Sequence, residues 1–379
     1  MDFELSQDHK VLQSSVRDFV EKEIKPIAIQ IDEAHHIPEQ LVLKMREMGL
    51  LGSYLPEAYG GAGLDILSYA IVVEEVSKAC GSSGVLISAH TSLACDPIYQ
   101  FGTEEQKKKH LPPLVTGEKI GSFLLTEPEA GSDVAGLATT YQKDGDHYVI
   151  NGNKIFVTNG GYRGTGILFA SMDRSLKHKG ISAFIVDLES EGVELLRNEN
   201  KLGIRGSYTT AFAFNNLRVP TENLLGSEGQ GFKIAMETLN GGRIGIAAQA
   251  LGIAEGAFER ALAYSKERKQ FGHPISELQA IQFKLADMYT CIETSKLIVY
   301  RSAWLKENKK PYAAESAMCK LHASETATYV TKEAIQIHGG YGYVTEYEVE
   351  RMYRDAKITE IYEGTSEVQR LIISRALLS

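Results

Sequence analysis

Between Gly121 and Leu225 the chain changes texture, and that change constrains the fold more than any other feature of its 379 residues. Before it, apolar residues recur at helical spacing. Leu12, Val16, Phe19 and Val20 follow an N-cap at Ser6, and Pro26 punctuates the segment. Further helices are predicted over Pro38–Met48, Ile66–Lys78 and Thr103–Leu114, joined by turns such as Tyr59–Gly63. Inside the block the pattern becomes short β-branched or aromatic runs: Phe123–Leu125, Tyr148–Ile150, Lys154–Val157, Gly166–Met172, Ala183–Leu188 and Thr210–Phe214. Gly, Asn and Asp separate them, and Asn151-Gly152 reads as the clearest hairpin turn. Such spacing predicts an antiparallel sandwich or barrel rather than βαβ units. After Leu225 the chain returns to helix. Phe232–Arg268 has no proline and is rich in Ala, Ile, Leu and Glu, and Phe271-Gly272-His273-Pro274 ends it. Segments near Ser276–Glu307 and Pro311–His338, a turn at Gly339–Gly342 and a last helix from about Ser366 complete an α, then β, then α layout. It predicts an α+β protein, helical over 1–120, β over 121–226 and helical again over 227–379.

Composition narrows the function. With 40 Lys+Arg against 49 Asp+Glu the formal charge is −9, which argues against a general nucleic-acid or anionic-membrane binder. Cys80, Cys95, Cys291 and Cys319 form no C-x-x-C pair, which favours a reducing compartment over a disulfide scaffold or a thiolate metal site. The acidic start Met1–Leu5 is unlike a signal peptide, and the apolar run Ile66–Val73 is cut by Glu74 and Glu75. A cytoplasmic protein without a membrane span is expected. G-x-G-x-x-G, a Gly-Lys dipeptide, H-E-x-x-H and G-x-S-x-G are all absent, which removes Rossmann, P-loop, simple metalloprotease and α/β-hydrolase readings.

Four segments carry polar chemistry, and each also has a plain structural reading. Thr126–Asp133 can offer N–H groups and hydroxyls to a planar polar ligand, or can be a Pro/Gly turn with Asx capping. Arg268, in Arg268–Gly272, can fork onto a pyrophosphate or complement a helix C-terminus. Gln336–Gly340 permits close backbone approach to a ligand, or simply caps a helix. In Tyr362–Glu367, Thr365 or Ser366 can cap the last helix with Glu367 in its first turn. Capping does not require Glu363 followed by Gly364, whereas a proton-abstracting carboxylate beside room for substrate does.

Taken together these segments resemble the acyl-CoA dehydrogenase family, in its short-chain (butyryl-CoA) branch. The carriers are Leu125–Pro128 with Ala130–Asp133, Asn151-Gly152 with Lys154–Gly160, Gly242–Gly252, Arg268–Gly272, Gln336–Gly342, and Arg354–Lys357 leading into Ile361–Thr365. They stand in family order over essentially the whole chain, Met1 to Leu377. The resemblance implies an N-terminal all-helical domain, a middle antiparallel β-sandwich or barrel domain and a C-terminal four-helix bundle.

It also implies residue roles. Phe123, Leu125, Thr126, Phe156 and Thr158 match positions at the flavin ring of FAD; the family usually has tryptophan where this chain has Phe156. Ser132 matches a contact to both FAD and the CoA portion. Arg268, Phe271, Gln279, Gln336, Gly339 and Gly340 match the pyrophosphate and adenine end, partly from a neighbouring subunit, which implies a homotetramer of paired dimers. Asn240 and Arg243 match the CoA-binding end of the long helix, Gly364 a substrate contact, and Thr365 and Glu367 further FAD contacts. Glu363 matches the catalytic base; in the isovaleryl and long-chain branches the base stands immediately before the arginine matching Arg243, where this chain has Gly242. By the resemblance, Glu363 removes the α-proton of an acyl-CoA while a β-hydride goes to flavin N5. The carbonyl is polarised by the Glu363 N–H and a ribityl hydroxyl, and electrons pass to electron-transfer flavoprotein. Chain length is expected to be set near Ile87–Leu93, Thr238–Gly241 and Tyr362, with short straight chains favoured over short branched ones. An acyl-CoA oxidase would be a longer chain, a nitroalkane-oxidase-like member would carry aspartate at Glu363, and a flavin-free CoA-binding scaffold would not need the full residue set.

Overall fold

The structure, a computed structural model, describes residues 4–378. The opening helices are α1 (Gln7–Phe19), α2 (Ala28–Ala34), α3 (Glu39–Glu47), α4 (Ile66–Ala79), α5 (Gly81–Ala89), α6 (Asp96–Phe101) and α7 (Glu104–Val115). Side chains set several of their starts. Ser6 Oγ accepts from the His9 N–H at 3.3 Å and Asp65 Oδ1 from the Ser68 N–H at 2.7 Å, while Thr103 and Gln106 form a reciprocal capping box. Pro26 does not close a simple helix. The chain runs on from α1 through a π turn, Val20–Ile24, and Pro26 sits in a 3₁₀ turn after it. α5 carries no helical signal because all of its residues are buried, so no polar face alternates with an apolar one.

The middle block is an eight-stranded sheet of β1 (Gly121–Leu124), β2 (Thr140–Asp144), β3 (His147–Thr158), β4 (Thr165–Ser171), β5 (Ile181–Asp187), β6 (Val193–Asn198), β7 (Thr209–Pro220) and β8 (Leu224–Leu225). The order is β6-β7-β3-β2-β4-β5-β8, with β1 paired to β4. It is antiparallel except that β1, and one residue pair of β2, run parallel to β4.

Asn151-Gly152 is not a hairpin turn, which corrects the sequence reading. It lies inside β3 at a register shift against β7, where a Cβ on residue 152 would lie 2.5 Å from Thr139 Oγ1, so glycine serves a bulge. Asn151 is held across the strands, its Oδ1 accepting from the Asn216 N–H at 2.8 Å. The turn is Gly145-Asp146, a two-residue loop closing Asp144 against His147 with Gly145 at φ 62°.

The last block holds α8 (Gly231–Glu267), α9 (Gln279–Glu307), α10 (Ala313–His338), α11 (Val349–Ile358) and α12 (Ser366–Leu378). α11 and α6 were not separately legible in the sequence. A tight hairpin, β9 (Lys269–Gln270) with β10 (His273–Pro274), follows α8 and carries Phe271-Gly272 at its tip, both at positive φ. Helices from both ends share one core. Val16, Val73, Val76, Leu251, Ile292, Val299 and Val330 belong to a single buried cluster. α4 and α8 approach closely because α8 offers glycine: a Cβ at Gly252 would sit 2.8 Å from Ser77 Cβ. Among the described residues no helix is long and apolar enough to cross a membrane.

Candidate active site

Glu363 lies in the turn between α11 and α12, and its backbone is unusual. Its φ is 53° and that of Gly364 is 95°, so two successive residues are left-handed; for a glutamate this conformation persists only when its surroundings hold it. The surroundings do. The Gln369 Nε2 donates to the carbonyls of Glu363 at 3.2 Å and Gly364 at 2.7 Å, and Lys320 Nζ donates to Gly364 O at 2.8 Å. Thr365 opens α12, its Oγ1 accepting from the Val368 N–H at 3.4 Å, and Glu367 is exposed in the first turn.

The turn aims the carboxylate inward. Glu363 as a residue is half-buried, yet its Oε2 is sealed from solvent and has no hydrogen-bond partner. It faces Gly242 of α8: a Cβ built there would overlap Oε2 and lie 2.8 Å from Leu93 Cδ2. The next residue, Arg243, is 4% exposed, donates to Asn240 Oδ1 and keeps its Nε unpartnered. Burial pushes the Glu363 carboxyl up to about 7, against the pull of Lys320 first and Arg243 second. Burial likewise pulls the Lys320 ammonium down to about 8, with Glu363 acting in the opposite sense. Tyr362 donates its hydroxyl to Gln249 Oε1, and burial pushes that phenol well up, so it stays neutral. A carboxyl group poised near neutrality, dry, unpartnered and flanked by two cations is suited to take up a proton.

A second group forms along the sheet. The Ile155 N–H donates to Thr126 O at 2.9 Å, which lays Leu125-Thr126 beside Lys154–Thr158. Phe156 has φ 56° and is 58% exposed, an aromatic face without cover in the single chain. Phe123 and Leu125 turn their side chains into the core, Phe123 packing edge-on to Phe169 at 4.9 Å. Beneath them Lys154, fully buried, donates to Leu125 O at 3.0 Å and Glu127 Oε1 at 2.7 Å. Ser132 sits on the exposed loop beyond the Glu127–Ala130 bridge.

A third group stands at the far end of α8. Arg268 lies 5.4 Å over the Tyr341 ring and forms no ion pair among the described residues. Phe271 is 86% exposed, Gln279 and Gln336 are exposed, and Gly339 and Gly340 have open space where a Cβ would project. From Gly242 to Arg268 is 268 − 242 = 26 residues of helix axis, about 39 Å. The chain therefore brings Asn240, Arg243, Glu363 and Gly364 together, and separates them from Arg268, Phe271, Gln336, Gly339 and Gly340.

Sequence profiles now decide the kinship. The acyl-CoA dehydrogenase N-terminal domain matches residues 6–118, its middle domain 122–217 and its C-terminal domain 229–378. The chain belongs to the acyl-CoA dehydrogenase family. The short-chain specific acyl-CoA dehydrogenase of Clostridium acetobutylicum is 54% identical over 374 residues, 99% of each chain. Butyryl-CoA dehydrogenase from Megasphaera elsdenii superposes with TM-score 0.98 at 47% identity over 100% of both chains. A chain solved under the description "Electron transferring flavoprotein of Acidaminococcus fermentans" gives 0.98 at 51% identity, again over 100% of both. An acyl-CoA dehydrogenase from Bacillus anthracis, complexed with FAD, gives 0.93 at 38% identity over 99% of this chain and 67% of that one. This acyl-CoA dehydrogenase is thus an FAD-dependent oxidoreductase of the short-chain branch, with the family's three-part fold.

Within that frame the sequence passed over Lys320, Gln369 and Gln249. A lysine or glutamine in an amphipathic helix reads as a solvent-facing residue. The one available signal was that Lys320 stands four residues from both Ser316 and Ser324, on the small-residue face of α10 that is buried.

Proposed function

We propose that this acyl-CoA dehydrogenase converts a short straight-chain acyl-CoA of the butyryl-CoA kind to the trans-2-enoyl-CoA, with Glu363 as the base. The observation that carries the reading is the sealed, partnerless Glu363 Oε2 against Gly242, between Arg243 and Lys320. The α-proton of a thioester is weakly acidic, so a base in water fails; a desolvated carboxylate with a raised pKa gains proton affinity where it is needed. Glu363 takes the α-proton on its carboxylate oxygen. The Glu363 N–H donates to no group of the chain among the described residues and is free to polarise the thioester carbonyl as negative charge develops there. Asn240 and Arg243, in the first half of α8, hold the CoA side of the substrate, with Gly364 and Ser132 as further contacts. Leu93, Tyr362 and the Thr238–Gly241 stretch of α8 limit the acyl chain. The short-chain names of the relatives support this size class.

FAD, when bound, supplies the acceptor for the β-hydride and its electron pair. The residues present fit it: an exposed aromatic at Phe156, hydroxyls at Thr126 and Thr158, and an arginine without a carboxylate partner at Arg268 beside an open Gly339-Gly340 turn. Phe123, Leu125 and Ser132 complete the flavin side; Phe271, Gln279, Gln336, Thr365 and Glu367 complete the rest. Because Arg268, at the C-terminal end of α8, stands about 39 Å along the helix axis from the Gly242 that Glu363 faces, the Arg268 group is assigned to a neighbouring subunit's cofactor, in keeping with the homotetramer of paired dimers that the family resemblance implies. Electron-transfer flavoprotein is the proposed acceptor, in keeping with the description under which one near-identical fold was solved, and the cytoplasm the proposed site of action.

The test is an anaerobic visible-absorbance titration of the FAD-loaded protein with butyryl-CoA, isovaleryl-CoA and octanoyl-CoA. Bleaching of the flavin band at the lowest concentration of butyryl-CoA is expected. Bleaching by a branched or longer acyl-CoA alone would contradict the chain-length assignment, and no bleaching by any of the three would contradict the reaction.

A further inference from the structure

Two lysines are among the largest fully buried side chains, and they are treated very differently. Lys154 has a carboxylate at 2.7 Å, Glu127, which also accepts from the Thr139 N–H at 3.0 Å. That is an ordinary compensated buried pair. Lys320 has no ion pair among the described residues. Its side chain makes one hydrogen bond among the described residues, to a neutral acceptor, Gly364 O at 2.8 Å, although an ammonium carries three donors. An uncompensated buried cation is costly, and a stable core would do better with methionine at this place on α10. What Lys320 does touch is the left-handed Glu363-Gly364 turn.

We propose that Lys320 is the positioning residue of the general base: its ammonium pins the Glu363-Gly364 turn through the Gly364 carbonyl, and its unpaired positive charge keeps the Glu363 carboxylate in its ionised, proton-accepting form. The inference rests on the reading of Glu363 as base. Gln369 shares the geometric task, since its Nε2 reaches both the Glu363 and Gly364 carbonyls, but it brings no charge. Arg243 brings charge from α8, but it is engaged with Asn240 and holds no part of the turn. Lys320 alone does both.

The charged and titratable groups around the pair come from every packed element. Glu363 faces Lys320 from α10 and Arg243 from α8, and it lies near the phenols of Tyr69 on α4 and Tyr362 in its own turn. Burial pushes both phenols up, so they stay neutral across the working range. Lys320 faces Glu363 first, then Arg243, Glu360 at the end of α11 and Glu367 on α12. Removing the Lys320 charge therefore leaves Glu363 with Arg243 as its one nearby cation among the described residues, and its proton is held more tightly.

The experiment uses FAD-loaded Lys320→Met and Lys320→Arg proteins, with the anaerobic rate of flavin bleaching by butyryl-CoA followed from pH 5.5 to 9. Lys320→Met is expected to move the midpoint of the rising limb up by about one pH unit, which is about a tenfold loss below pH 6 and about a fivefold loss at pH 7. The deficit narrows above pH 7, as the carboxylate becomes ionised in both proteins, and the loss of the parent Lys320 proton near pH 8 narrows it further. Lys320→Arg keeps the parent midpoint. Binding of acetyl-CoA, which has no β-carbon to give up a hydride, stays within twofold in both. A merely structural role would lower the rate equally at every pH, and an unmoved midpoint in folded, flavin-loaded Lys320→Met overturns the proposal. If that variant does not fold, Lys320→Gln against Lys320→Arg decides in its place: a raised midpoint in the first only supports it, and parental midpoints in both overturn it. Full flavin reduction by Glu363→Gln would instead refute the base assignment itself, so the two failures are distinguishable.

Discussion

Gly242→Ala separates the stability of this protein from its chemistry. In the interior of a helix, alanine is favoured over glycine by about 0.8–1 kcal/mol, so by propensity alone the change should stabilise α8. At this position the added methyl meets the active carboxylate. It would overlap Glu363 Oε2, and lie 3.2 Å from Glu363 Cδ and 2.8 Å from Leu93 Cδ2, against ordinary contacts of about 3.5–4.0 Å. The helix backbone is fixed on α4 and α10, so the side chains must give way, and the carboxylate retreats on the order of 1 Å. A displacement of that size in a reacting group costs on the order of 10²-fold in rate, about 2.7 kcal/mol of barrier. The assay pairs anaerobic stopped-flow bleaching by butyryl-CoA with a thermal melt of the same holoenzyme. The expected result is a rate about a hundredfold lower with an unfolding midpoint within a few degrees of the parent. A parental rate in a folded Gly242→Ala protein would refute the placement of Glu363 against α8.

Burial holds Glu363 near 7, and a base acts in its ionised form, so kcat/KM for butyryl-CoA is expected to climb about tenfold per pH unit below 7 and to level above it; a flat profile from pH 5 to 8 would contradict this. Arg268→Ala should release FAD more readily on dilution and weaken the oligomer, measured by flavin absorbance after gel filtration; full occupancy in an intact oligomer would defeat its assignment. Lys154→Met leaves Glu127 buried without its cation and should destabilise the fold by about 3–5 kcal/mol in urea unfolding, with a loss under about 1 kcal/mol contradicting the buried pair.

The sequence made the block layout plain because helices and strands bury different periodicities, and the long proline-free stretch of α8 admits little else. It misplaced the hairpin because Asn-Gly is a strong turn signal, and only the approach of Thr139 shows that the glycine relieves a bulge; Asp144-Gly145 offered a competing signal of the same kind. α5 was invisible for the opposite reason, since a helix buried on every side has no amphipathic stripe. For the site, Glu363, Gly242 and Arg243 could be named from motif and resemblance, but the carboxylate's isolation could not. That isolation arises from three elements distant in sequence, α8, α10 and the turn before α12. Lys320 escaped notice because a lysine in a helix is ordinarily solvated, and its burial is a tertiary fact. The roughly 39 Å of α8 between the two polar groups likewise becomes a constraint only once the helix is seen to be continuous.

The most direct test of the central claim is single-turnover flavin reduction by butyryl-CoA in FAD-loaded Glu363→Gln. Glutamine keeps the size and the turn but cannot accept the α-proton. FAD content and acetyl-CoA binding should match the parent, while the bleaching rate falls by at least about 10³-fold, in line with the loss of a general base and its field. Bleaching within about tenfold of the parent rate would show that another group removes the proton and that Glu363 is not the base.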